Sequence, residues 1–372
     1  MSTDDFFSAK RPWSRIKDAI LGSYMSPYFA KLSKNPHHNF LIIDAFAGPG
    51  SFDDGSPGSP LIICEAAEKY AYGRYEAVFV NLDEDHHLQL QSTLEEANFR
   101  HAKAIHGDSR DVLRKIHIRL NEPLTIFLYM DPFGLKDVSF DLIRPFIERN
   151  PQYSTEILIN LQAPVLHRLA AREKFLENPD SQDIRRYHET LSRVLGGEYW
   201  KEHMFSGDLE AREREEKVVA AYRSLLSSTN YLIYTGACPV QESRRSRAKY
   251  YMIFASRHID AMKLFNDEML KAFEQYMNKQ EFAETLFADM SWQTWRDLEE
   301  VKTISQVYVQ QYPGYTRSQL WDIIVQENFM RFRSSEYKIA LNELISENMI
   351  YSPTERKTKR LNDNCVLYPV DK

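Results

Sequence analysis

The sequence predicts an α/β protein built on a doubly wound, mostly parallel sheet, followed by a small helical domain. Three observations predict it. Apolar runs of strand length recur between residues 40 and 255, with helical patterns between most of them. The first run ends in an acidic residue and a glycine turn, Asp44 to Gly50. The last 77 residues, 296–372, break the alternation and read as helix, turn, helix and hairpin. Alternating strand and helix imply parallel pairing through right-handed crossovers.

Taken in order, the strand-like runs are Phe40–Phe46, Ala77–Leu82, His101–His106, Leu124–Met130, Thr155–Leu161, Tyr231–Tyr234 and Tyr250–Ala255. Phe40 to Ile43 are apolar enough for a buried strand, and Asp44 closes it. Helical patterns follow the first four runs, at Leu61–Tyr70, Leu88–Asn98, Asp111–Leu120 and Phe140–Glu148. Only a polar loop, Thr235–Lys249, separates the last two runs, which predicts an antiparallel hairpin. A seven-strand sheet with one reversed strand is the architecture of the Rossmann-like methyltransferases, expected here over residues 1–290. That is an analogy of fold and does not fix function. Residues 163–228 are too long for one crossover and rich in charged helix formers, as in LEAREREEKVVAAYRSLL. They read as a helical insertion beside the sheet's carboxyl edge, either a solvated helix pair or a lid.

In residues 296–372, YPGY (312–315) is a turn, Thr316 a cap for helix Arg317–Glu327, and Ser334 or Ser335 a cap for helix Glu336–Glu347. A strand at Met349–Ser352, a basic turn at Pro353–Arg360 and a strand at Cys365–Pro369 complete a winged-helix pattern. Arg356, Lys357, Lys359 and Arg360 fall on the wing. They suit phosphate contacts, or a solvated wing on a protein-docking module.

The chain has 372 residues, enough for two domains. Its 43% apolar and 27% charged content is ordinary for a globular protein. A net charge of −6 provides no global basic field, so a nucleic-acid partner must be gripped by local patches. Cys64, Cys238 and Cys365 share no metal-ligand spacing and read as reduced thiols of a cytoplasmic protein. The opening MSTDDFFSAKRPW does not read as a signal peptide. No segment approaches the roughly 18 apolar residues of a membrane span.

The candidate chemistry stands at successive strand ends. Ala45 to Gly50 form a small-residue turn, with Phe46, Gly48 and Gly50 beside Asp44; glycines let the backbone approach a ligand. After the second strand comes Asn81-Leu82-Asp83-Glu84. An acid there can accept from both ribose hydroxyls of an adenosyl group, and Asp83 is the choice, with Glu84 or Asp85 as alternatives. After the third strand, Asp108 suits the adenine amino group or a helix N-cap. After the fourth come Asp131-Pro132-Phe133-Gly134. Pro132 stiffens the turn, holding the carboxylate and the ring where a substrate meets the cofactor. These positions together predict an S-adenosylmethionine site.

A D-P-P-aromatic turn at this place marks amino-methyltransferases. Its Asp and a backbone carbonyl accept from an exocyclic amine, and the ring stacks on the base. Here the turn is one proline short, which predicts an amine acceptor of a nucleic acid or nucleotide with the spacing in question. Arg244, Arg245, Arg247 and Lys249, in the loop before the last strand, suit phosphates or a solvated loop. His258 reads as a base or as structural. The rival reading of the whole chain is a non-catalytic adaptor or binding module.

Asp44–Gly50 (DAFAGPG), Gly55–Pro60 (GSPGSP), Asp131–Gly134 (DPFG) and Phe254–His258 (FASRH) resemble the three-Cys-motif partner proteins, TcmP. Trp13, Lys17 and Tyr28 also fit that family's opening helix, and the resemblance covers roughly residues 10–350. It implies a Rossmann-like methyltransferase fold, S-adenosylmethionine binding, a bacterial or phage setting, and a partner with a radical-SAM-like three-cysteine cluster.

Overall fold

The computed structural model describes residues 12–132, 134, 138–179, 181–228, 234–241, 247–282, 297–353 and 361–370. They form two compact units, Met1–His258 and Ile259–Lys372. The sequence reading placed this division between 290 and 296.

The first unit opens with α1 (Pro12–Leu32) and continues β1 (Asn39–Asp44), α2 (Ser59–Tyr70), β2 (Tyr75–Asn81), α3 (Glu84–Glu96), β3 (Ala102–His106), α4 (Ser109–Ile116), β4 (Leu124–Met130), α5 (Phe140–Glu148) and β5 (Thr155–Gln162). Helices α6 (Ala163–Ala170), α7 (Arg172–Glu177), α8 (Gln182–Leu195), α9 (Trp200–Met204) and α10 (Ala211–Ser227) follow, then β6 (Tyr234–Val240) and β7 (Tyr250–Ser256). The seven strands run in the order β3-β2-β1-β4-β5-β7-β6. Strands β1 to β5 pair in parallel, and β7 lies antiparallel to both β5 and β6. This is the Rossmann-like methyltransferase fold.

Alternation along the strands decides what each face buries. Phe40, Phe127 and Phe254 turn to α1, where Tyr24, Tyr28 and Phe29 meet them; the Tyr28 and Phe127 ring centres lie 5.6 Å apart. Leu41, Ile43, Ile126, Leu128 and Ile253 turn to the other face and join the larger core. The register sets Asp44 opposite Phe79 and Tyr129, so the ends of β1, β2 and β4 are level.

Two expectations for this first unit need correction. The sixth strand is Tyr234–Val240, where the reading had Tyr231–Tyr234 and then loop; residues 231–233 lie outside the described residues. Gly236 and Pro239 disguise the strand. β6 is an edge strand, and there a missing N–H costs no ladder bond on the open side. The insertion is no solvated helix pair either. Leu166, Leu191, Val194, Trp200, Val218 and Tyr222 from its helices are buried in the main core, each worth about 1.5–3 kcal/mol of burial. Most of its charges line the outward faces; Glu215 is buried, and Arg223 is half-buried and donates to the Thr235 carbonyl at 2.6 Å.

The second unit holds α11 (Ile259–Phe282), α12 (Leu298–Gln311), α13 (Arg317–Glu327), α14 (Ser334–Ser346) and the antiparallel pair β8 (Ile350–Tyr351) and β9 (Tyr368–Pro369). Val309, Leu320, Ile324, Tyr337, Leu341 and Leu367 form its core. Thr316 caps α13 in a capping box with Gln319. The cap of α14 is Arg333, not Ser334 or Ser335: Glu336 accepts from the Arg333 N–H at 2.7 Å, so the helix starts at Ser334, two residues before the expected Glu336. Arg356, Lys357, Lys359 and Arg360 lie outside the described residues.

Candidate active site

The carboxyl ends of the parallel strands form the edge where ligands bind in open α/β sheets. Asp44 ends β1 with 0% exposure. Its Oδ1 accepts from the Phe46 N–H at 3.1 Å, and its Oδ2 from the Ser59 hydroxyl at 2.6 Å. The carboxylate thus ties the two ends of the 45–59 loop together. Burial pushes it up to about 6, against those two hydrogen bonds.

The loop is closed on itself by glycines. Gly58 donates its N–H to the Gly50 carbonyl at 2.7 Å, and a Cβ at residue 58 would stand 3.0 Å from that oxygen. Gly50 adopts φ +94°, open to glycine at little cost. Ala47 donates to the Val80 carbonyl at 2.9 Å, and the Asn81 side chain donates to the Gly48 carbonyl at 3.4 Å. Phe46 is half-buried against the main core. The GSPGSP segment therefore folds back onto the glycine turn, and Pro60 enters the first turn of α2.

At the end of β2, Asp83 caps α3: its Oδ1 accepts from the His86 N–H at 3.0 Å. That bond holds the carboxyl below its usual range. One of two oxygens is thereby committed, and the side chain is half-exposed. Next to it Leu82 is 72% exposed, an apolar side chain left open beside an acid. At the end of β3, Asp108 caps α4 and is forked by the Arg110 guanidinium, which holds it low. The cap is the role the structure displays for Asp108.

Asp131 follows β4. Its Oδ1 accepts from Asn160 Nδ2 at 2.8 Å, and its Oδ2 is paired with the Lys17 ammonium of α1. The Pro132 carbonyl accepts from Gln162 Nε2 at 2.7 Å. Burial opposes the Lys17 charge, but Asp131, Asp18 and Asp44 override it and hold the ammonium above its ordinary range. Three carboxylates thus act on the one Lys17 ammonium, with Asp131 in direct contact. Phe133 lies outside the described residues.

A cavity of about 350 Å³ opens between α1 and the glycine loop, lined by Arg15, Asp18, Asp54, Ser56 and Pro57 among others. Its walls carry one cation and two anions, and Asp54 accepts from the Ser56 N–H at 2.9 Å and from the Ser56 hydroxyl at 2.5 Å. Lys17, Asn160 and Gln162 escaped the reading of the site. Asn160 and Gln162 show as polar breaks in the apolar TEILINLQ run, a usable signal. Lys17 gave a weaker one, a charge between the buried Ile16 and Ile20.

Other sequence candidates sit elsewhere or in other bonds. Arg247 donates to Glu215 Oε1 at 2.8 Å, an oxygen that also meets His167 Nε2 at 2.6 Å. Its charge thus fastens the loop before β7 to α6 and α10. The Lys249 N–H donates to the Val240 carbonyl at the end of β6, and the Lys249 carbonyl accepts from the Ala163 N–H at the start of α6. Arg244, Arg245, Arg356 and Lys357 lie outside the described residues. His258 follows β7, whose antiparallel run carries it to the sheet edge opposite Asp131, so it is no base for this site.

No protein-family model and no curated protein matches the chain. Solved structures overlap it in part. One is an O-methyltransferase from Bacillus cereus in complex with SAH, at 13% identity over 68% of this chain and 92% of that one, with a TM-score of 0.35. Others are a precorrin-6y C5,15-methyltransferase from Geobacter metallireducens (10%, 69% and 95%, 0.31) and Aeropyrum pernix fibrillarin with natively bound S-adenosyl-L-methionine (14%, 63% and 76%, 0.29). The fold assignment itself rests on strand order and direction.

Proposed function

We propose that this protein is an S-adenosylmethionine-dependent methyltransferase. The observation that carries the proposal is the closed glycine loop at the end of β1 beside a half-exposed Asp83 and an exposed Leu82 at the end of β2. The residues present fit the cofactor. Asp83 has a carboxylate oxygen to spare for ribose hydroxyls, Leu82 an apolar face for adenine, and the Arg15–Asp18 cavity opposite charges for an aminoacyl end. When bound, the cofactor supplies an electrophilic methyl group. The protein's own work is then to hold the acceptor in line and keep water out, which is where most of the rate enhancement in such a displacement originates.

The amine acceptor expected from the D-P-aromatic turn needs open acceptors at Asp131 and the next carbonyl. Each already accepts within the chain and keeps a further lone pair for an amine N–H, so an amine acceptor stays part of the proposal. A nucleotide or nucleic-acid acceptor and a radical-SAM-like three-cysteine partner remain proposals supported by the basic loops and the TcmP resemblance. A salt series tests the first, since phosphate contacts weaken linearly in log salt; co-purification with the three-cysteine protein tests the second.

The deciding experiment is calorimetry with S-adenosylmethionine. The wild type should bind at micromolar affinity, and Asp83→Ala should weaken binding at least about tenfold, the cost of roughly one hydrogen-bonded charge. Absence of binding in the wild type, with and without the partner, would leave the adaptor reading in its place.

A further inference from the structure

We infer that the open edge of β3 is a docking site for an extended acidic segment of a partner protein. The segment adds a strand to the sheet and seats an apolar side chain in the cavity between β3 and α3. The inference concerns the sheet's edge and does not depend on the methyltransferase reading.

β3 stands at the end of the sheet, with β2 as its one neighbour. In a parallel strand every second residue bonds a given neighbour. The His101 carbonyl accepts from the Ala77 N–H and the Gly107 N–H donates to the Asn81 carbonyl, both at 2.9 Å. Residues 103 and 105 belong to the same set and also face β2. The N–H and the carbonyl of Ala104 therefore turn to the open side, where no partner meets them among the described residues; the Ala102 N–H is taken by the Phe99 carbonyl at 3.1 Å. A donor and an acceptor on one extended residue are what another extended backbone satisfies, by strand addition.

A cavity of about 480 Å³ lies beside this edge. Leu94 and Phe99 stand in its wall, and the small side chains of Ala102 and Ala104 leave it unfilled. Ala102 and Ala104 share one strand face; Lys103 and Ile105 share the other, with Ile105 against the main core. An added strand alternates in the same way. Its residues beside Ala102 and Ala104 point at the cavity, and those between stand beside Lys103. The charges there favour carboxylates. Arg100 donates to Asn98 Oδ1 at 3.1 Å and has no carboxylate partner among the described residues. Lys103 reaches Glu76 only at 3.5 Å, and its side chain is 65% exposed. Glu95, the carboxylate in the lining, accepts from Gln91 at 3.0 Å. In a chain of net charge −6 this edge is locally cationic, which selects a segment that alternates apolar side chains with acids. It also selects against a second copy. Antiparallel self-pairing about Ala104 would set the two Lys103 side chains on one face of the joined sheet as diagonal neighbours, a like-charge contact.

The test is fluorescence anisotropy of the full chain with a labelled, end-blocked peptide of alternating glutamate and valine. It should bind at micromolar Kd, and a lysine–valine peptide at least about tenfold more weakly. Two further peptides are N-methylated, one on its valines and one on its glutamates. They keep the side chains and lose backbone donors, and one of them should bind at least about tenfold more weakly: the valine form if the added strand is antiparallel, the glutamate form if it is parallel. Ala104→Pro removes the outward N–H, which the sheet itself does not use, so an edge strand tolerates it. It should weaken binding by a similar factor, with the urea midpoint reporting that the sheet is intact. Lys103→Glu, on the exposed side, should reverse the preference between the two unmethylated peptides. The inference is overturned if the glutamate–valine peptide does not bind, if the lysine–valine peptide binds as well, or if neither N-methylation nor Ala104→Pro weakens binding. Sedimentation showing a dimer of the free chain that Ala104→Pro makes monomeric would overturn it too, by giving the edge to a second copy.

Discussion

Asp131 and Glu156 are both carboxylates beneath α1, and their surroundings assign them different work. Asp131 is compensated by Lys17 and stands at the strand ends. Asp131→Ala should lower methyl transfer by about 10²–10⁴-fold, the usual range for a lost proton acceptor, while S-adenosylhomocysteine affinity stays within about threefold. Asp131→Asn keeps the shape while removing the charge; transfer at the wild-type rate in both variants would remove Asp131 from the chemistry. Glu156 is 2% exposed and accepts from the Tyr24 hydroxyl. Burial pushes it up to about 7 from an ordinary 4.5, with Tyr24 and Lys31 opposing. Between those two values the folded protein holds more protons than the unfolded chain. Its contribution to stability is complete below pH 4.5 and is lost as pH rises through 7. Glu156→Gln keeps the acceptor for Tyr24 and removes the titration. Relative to wild type it should gain up to about 3 kcal/mol between pH 4.5 and pH 8 in urea denaturation. A constant difference across that range would show that Glu156 does not titrate there.

The glycine loop makes a prediction at the level of the element. A Cβ at Gly50 would stand 2.9 Å from the buried Leu90 Cδ1, on a backbone at φ +94°. Gly50→Ala should therefore cost about 1–3 kcal/mol in urea, and cofactor affinity should fall with it, since the same turn closes on Gly58. An unchanged midpoint would mean the loop is free to rearrange. Elements of this kind were legible in the sequence because each carries its own signal. Phe40–Ile43 are apolar throughout, Asp44 and the glycines follow at once, and β4 matches its expected bounds, Leu124–Met130. What was not legible depended on partners distant in the chain. Pro239 reads as a strand breaker until β6 is known to be an edge. The insertion reads as solvated because its charges sit in sequence beside Val218, Val219 and Tyr222, and only the fold separates the two faces. Lys17 and Asp131 are 114 positions apart; the local pattern shows a charge on a helix, and the pairing that gives the site its donor is a property of the assembled sheet.

At the scale of the whole molecule, two cores make two stabilities. The sheet unit buries its residues on both faces of β1, β4 and β5, and the residues proposed to hold the cofactor all belong to it. The second unit has its own core around Leu320, Ile324 and Leu341. A ligand stabilises only the structure that binds it, by an amount that grows with the logarithm of its concentration. Calorimetry of the full chain should therefore show two transitions, and S-adenosylhomocysteine at about 100 times its Kd should raise only the sheet unit's, by close to 2.7 kcal/mol. Leu341, at 0% exposure, supplies the opposite perturbation. Leu341→Ala should cost about 2–5 kcal/mol and lower the other transition by roughly 10 °C or more, with cofactor affinity unchanged. If one transition moves under both perturbations, the two cores unfold together, and the second unit is then part of what holds the cofactor site in shape.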